Sequence, residues 1–305
     1  MRSLLILLFF ALATPFLKAQ QLENALLWKI SASDQTDQVS YLFGTIHMIS
    51  DEHFYIPDTL ISILKSSDSI CFELNIDNPM EMMMGFYSMG DRLFLPDSKS
   101  LDDYLTDEQL ALFDSHFNES ALPASMLKRL KPLFTLAMLD SDSEELGDVK
   151  SYEMELSSLA MEYQVPTCGL EKMEDQLKIF DQIPLDEQIE QLMQAIEQPE
   201  RTETQPMLDS LVYHYTNQNL NKLDEMISRQ FYQKEQDYAD VFLNDRNKNW
   251  VETIDLQMKN KRKCLYAVGA GHLGGKKGLI QLLRDKKYLV QPIMFNWPMP
   301  LSTND

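Results

Sequence analysis

Residues 39–77 constrain the fold most. "VSYLFGTIH" is an apolar run that ends in Gly-x-x-His. "IPDTLISILKSSD" follows, with Ile56, Leu60, Ile61 and Leu64 at helical spacing and Pro57 opening the first turn. "SICFELNID" then reads as another strand. A strand, an amphipathic helix and a strand in immediate succession make a crossover unit, which predicts parallel pairing. Upstream, "ALLWKISASDQTDQ" adds a strand joined to the first by a polar turn.

The same rhythm returns later. Tyr152, Leu156, Leu159 and Tyr163 share one helix face, "QVPTCGLE" is a strand, and "KMEDQLKIF" begins a helix. Near the end, "KCLYAVGAGH" is a strand, "GLIQLLRDKKY" a helix and "LVQPIMF" a closing strand. Between these lie two helical stretches, about 79–147 and 184–230. The first contains a methionine-rich segment, read as adaptable core or groove lining, and a helix whose capping signal is Thr106. With no linker of low complexity, residues 20–305 read as one α/β domain with helical insertions.

Residues 1–19 read as a secretory signal: Arg2, the apolar run Leu4–Ala13 and Ala19 at the cleavage point. The run is short for a bilayer span, and after signal removal no stable membrane insertion is expected. A net charge of −20 repels phosphate backbones, so nucleic acid is not an expected partner. Cys71, Cys168 and Cys264 each sit in an apolar run, and the expectation is three buried free thiols. No CxxC occurs, so a thiolate zinc site is not expected.

Gly-x-x-His occurs twice, as Gly44–His47 and Gly269–His272, each time after a predicted strand. The glycine permits a tight turn, and the histidine falls beyond the carboxyl edge of the sheet, where open α/β sheets bind ligands. Glu73 and Glu171 end two other strands. Arg246 lies on the stripe Tyr238, Phe242, Trp250, Ile254 and Met258, where a guanidinium needs a carboxylate or an anionic ligand. Asn247 can add hydrogen bonds. The set suggests a divalent metal held by His47, Glu73 and His272, with a metal-bound water as nucleophile. Glu171 is then the candidate base, and Arg246 with Asn247 would hold a carbonyl or developing oxyanion. Neither HExxH nor a G-x-S-x-G elbow occurs.

"LFGTIH", "CFELNI", "CGLEKMEDQLKIF", "RNKNW" and "AVGAGHL" stand in the order seen in the TraB/PrgY/GumN family, which includes the animal TIKI proteases. The resemblance runs from about residue 27 to residue 296. It implies a central, mostly parallel sheet akin to the erythromycin-esterase and ChaN-like group. It also implies a hydrolase that acts on peptides or proteins and depends on a divalent metal such as Mn, Co or Zn. The signal sequence places the chain in the periplasm or outside the cell as an expectation. Two other readings stay open: a non-catalytic module that sequesters peptides, and a haem or metal carrier.

Overall fold

The computed structural model describes residues 23–298 except 33–34, 81–82, 86–89, 119, 121, 142–148, 198–203 and 233–238. The signal reading of residues 1–19 and the stripe position Tyr238 lie outside the described residues. Among the described residues the strands are β1 (Leu27–Ala32), β2 (Gln35–Thr45), β3 (Ile49–Ser50), β4 (Ser69–Phe72), β5 (Val149–Lys150), β6 (Thr167–Gly169), β7 (Cys264–Gly269) and β8 (Tyr288–Ile293). Six build the central sheet in the order β6-β4-β7-β2-β1-β8; β3 and β5 form a small ribbon. β6, β4, β7 and β2 run parallel. β1 is antiparallel to both β2 and β8, so it alone runs against the rest. The fold is the expected mixed α/β arrangement around a mostly parallel sheet.

The crossover forms as its sequence predicts. Helix Asp58–Ser66 starts directly after Pro57 and buries Leu60, Ile63 and Leu64. It carries the chain from β2 to β4, with β7 filling the gap between them. Alternation along the strands sends neighbouring side chains to opposite faces. Trp28, Leu42 and Tyr266 pack on one face with Trp250, Ile254 and Met258. Leu27, Phe43 and Leu265 pack on the other with Leu60, Tyr152 and Tyr215. With both faces covered, the central strands are apolar almost throughout, as parallel strands are.

The described parts of both stretches are mainly helical and share a third apolar cluster, in which Phe113, Leu127 and Leu130 meet Leu192, Met193 and Ile196. Thr106 caps helix Asp107–His116 by a reciprocal pair: its hydroxyl accepts from the Gln109 N–H, and the Gln109 side chain accepts from the Thr106 N–H. Of the two roles read for the methionine-rich segment, core or groove lining, Met84 fits the second: it lines a cleft with Leu74, Leu170 and Met173. Met80, Met83 and Met84 are each more than 60% exposed. Among the described residues, no helix is long and apolar enough to cross a membrane.

The cysteine expectation is corrected. Cys71 and Cys168 are joined in a disulfide, and only Cys264 is a buried free thiol. The two partners stand directly opposite each other on β4 and β6, with Cα atoms 4.4 Å apart. That is bridging range. Their separation of 97 residues hides the pairing from local pattern. Alkylation of the denatured, unreduced protein should therefore label one of the three cysteines, and all three after reduction. Reduction should lower the unfolding free energy by about 2–4 kcal/mol, measured by urea titration. Three labelled thiols before reduction would contradict the pairing.

Candidate functional site

The two Gly-x-x-His corners are neighbours because β2 and β7 pair directly. Gly44 stands opposite Val268, and Thr45 opposite Gly269. The corners also touch. A Cβ on Gly44 would lie 2.6 Å from Leu273 Cδ1 and 3.2 Å from Ala270 Cα, so a side chain there would force Leu273 and the second turn to shift. Gly269 has another task. Its N–H donates to Glu73 Oε1 at 2.9 Å, and a side chain there would crowd that oxygen.

Arg246 is the centre of the site. It projects from helix Asp245–Lys259, whose Trp250, Ile254 and Met258 are buried against the sheet. The stretch before it, Asp240–Asn244, is π-helical. The guanidinium reaches Glu73 Oε2 at 2.5 Å and Glu171 Oε1 at 2.6 Å through Nη2. Nε binds the two Glu171 oxygens at 3.1 and 3.2 Å. Nη1 donates to the Phe242 carbonyl at 3.1 Å and to His272 Nε2 at 3.2 Å. These contacts engage all five guanidinium N–H groups. As placed, Arg246 has none left for an oxyanion. Trp250 adds its ring face, 4.6 Å from the guanidinium carbon.

Glu171 is equally committed. Besides Arg246 it accepts from Trp250 Nε1 at 3.0 Å and Gln176 Nε2 at 2.8 Å. As placed, Glu171, the expected base, anchors Arg246 with a side chain that is 8% exposed. Glu73 lies one residue past β4. Burial pushes its carboxyl up, but His272, Arg246 and the Gly269 N–H outweigh this and hold it down at about 2.

The tautomer of His272 follows from its partners. A guanidinium only donates, so Nε2 must carry the lone pair and Nδ1 the proton. Nδ1–H then donates to Asn247 Oδ1 at 2.8 Å. Asn247 is held the right way round because its amide donates to the Lys277 carbonyl at 3.0 Å. His272 is 4% exposed. Burial lowers it to about 4, with Arg246 adding to the effect, so the ring is neutral at pH 7.

His47 stands apart from this cluster. Its side chain is 72% exposed, and Nδ1 lies 3.2 Å from Glu153 Oε1. Glu153 is fixed by the Thr45 hydroxyl at 2.6 Å and the Ser151 hydroxyl at 2.9 Å. The hydrogen bond to Glu153 raises His47 above its ordinary value. Sequence reading missed Glu153, because an acid in the first turn of a helix has an ordinary explanation in the helix dipole. It also missed the Trp250 indole as a donor, having counted that residue only as apolar.

The donor types, two imidazoles and two carboxylates, suit a divalent ion. Their arrangement does not. Arg246 fills the space between Glu73, Glu171 and His272, while His47 is engaged elsewhere. Among the described residues, no three His, Cys, Asp or Glu side chains are placed to hold a metal. The cluster of one guanidinium, two carboxylates and a neutral imidazole carries surplus negative charge. His47, Glu73, Phe242 and Arg246 line two clefts at once.

The depressed His272 has a consequence for stability. Its folded value of about 4 lies below its unfolded value of 6.5, so the unfolded chain takes up the proton first. Stability should fall as pH drops from 6.5 to 4, by up to about 3 kcal/mol. Urea unfolding across that range should show a slope that is lost in His272→Gln. Identical profiles for the two proteins would contradict the assignment.

The model of the TraB/PrgY/gumN family matches residues 26–292. The uncharacterized protein YbaP of Shigella flexneri is 26% identical over 251 residues, covering 80% of this chain and 88% of that protein. Metalloprotease TIKI1 of Danio rerio is 22% identical over 324 residues, covering 88% of this chain but 63% of that protein. Its human counterpart is 23% identical over 332 residues, with 90% and 63% covered. No solved structure matches significantly. The chain is a member of the TraB/PrgY/gumN family.

Proposed function

We propose that this chain is an exported hydrolase that cuts peptide bonds in the cleft at the carboxyl edge of its sheet. The observation that carries the reading is the His47–Glu153 pair. Glu153 holds Nδ1, which leaves Nε2 as the free nitrogen of an exposed imidazole on the cleft wall. A histidine so oriented, with a value raised by a carboxylate, is a general base for water. His47 takes the proton as water attacks the carbonyl carbon, and Glu153 stabilises the imidazolium. The same ring then returns the proton to the leaving nitrogen. Relatives named metalloproteases support peptide as the substrate class. The Cys71–Cys168 disulfide supports an oxidising, extracytoplasmic setting.

A divalent metal (Mn, Co or Zn) would supply a bound hydroxide and a Lewis acid. The donors do not converge for one in this arrangement, and no step here passes through it. One observation favours a second reading, a module that binds peptides without cutting them: the Arg246 N–H groups are all engaged, so none faces a substrate carbonyl.

Turnover of a peptide library, followed by mass spectrometry, tests the proposal. His47→Ala should lower kcat by about 10²–10⁴ while the fold stays intact. Glu153→Gln should move the acid limb of kcat/KM to lower pH, because it removes the carboxylate that raises His47. An unmoved limb would remove Glu153 from the mechanism. Activity abolished by a chelator and restored by Mn, Co or Zn would make His47 a ligand instead of a base.

A further inference from the structure

Two neighbouring clefts, both mostly apolar, share the polar strip of His47, Glu73 and Arg246 in their walls. The first, about 380 Å³, is lined by Phe72, Leu74, Ile76, Met154 and Ile179. The second, about 300 Å³, is lined by Ile46, Leu211, Tyr215, Ile227 and Leu243. Both are at the small end of ligand clefts. They share His47, Glu73, Phe242 and Arg246, so they are two halves of one groove with the polar strip as their common wall.

Two features of the groove select an occupant. In an extended peptide, successive side chains point to opposite sides. The residues before and after one peptide bond would therefore enter opposite halves when that bond lies over the strip. Charge sets the second limit. The acids Glu73 and Glu153 face the groove, and the single arginine is already matched by two carboxylates. An acidic side chain would meet like charge in either half, with no free cation among the lining residues to receive it.

We propose that the groove takes an extended peptide with an uncharged apolar side chain on each side of the bond over His47, one in each half. The inference rests on the hydrolase reading for the identity of that bond, but the selectivity belongs to the walls. Met154 sets preference on one side. It is 61% exposed, so its replacement does not disturb the core. Ile227, half-buried on the opposite half, sets the other.

The test uses the full chain and quenched fluorogenic peptides that differ only at the two central residues. They carry Leu or Phe, Gly, or Asp at each position. Cleavage and binding, the latter by fluorescence anisotropy, are measured in parallel. We expect kcat/KM to drop about tenfold or more when either apolar residue is replaced by Asp. Met154→Glu should erase the preference at one position, and Ile227→Ala or Ile227→Asp that at the other. Selective binding without turnover would sink the hydrolase reading and keep this inference. Turnover or binding indifferent to both residues, or both variants acting on the same position, would overturn it.

Discussion

A buried guanidinium between two carboxylates ties four separate parts of this chain together. Glu73 follows β4, Glu171 follows β6, His272 follows β7, and Arg246 comes from the helix packed across them. The four meet at one edge of the sheet because parallel strands all end there. Deleting one member of such a group leaves an uncompensated charge in a poorly solvated place, which typically costs about 3–5 kcal/mol. The cluster therefore adds a second set of ties between strand ends that the sheet already spaces. The Cys71–Cys168 bridge acts on the same pair of strands, two residues before Glu73 and three before Glu171.

This changes the meaning of the repeated Gly-x-x-His. The two corners share one architecture, but their histidines live in different environments. His272 is buried, neutral and locked by Asn247 and Arg246. His47 is exposed and tuned upward by Glu153. Glycine gives the repeat its geometry: Gly44 lets one turn lie on the other, and Gly269 admits the Glu73 carboxylate. The chemistry then divides. One imidazole belongs to the scaffold, and the other meets the cleft.

Much of this was legible in the sequence. Periodicity located the crossover, and the apolar runs located the strands, because burial on both faces leaves an unmistakable composition. An arginine on an apolar stripe announced its need for carboxylates, and Glu73 and Glu171 at strand ends were the ones it found. Pairings across long separations were not legible. Cys71 finds Cys168 only because β4 lies beside β6, and His47 finds Glu153 only because the helix Tyr152–Glu162 packs under the first corner. The short polar turn between β1 and β2 implied that they run antiparallel, but nothing local showed that β8 would return to the other edge of β1.

Replacing Arg246 by Gln separates its two possible roles most directly. Its N–H groups hold the site together and do not face substrate. Arg246→Gln should then lower the unfolding free energy by about 3–5 kcal/mol in urea titration at pH 7. A variant as stable as the wild type, with peptide turnover abolished, would contradict the claim and return Arg246 to the substrate.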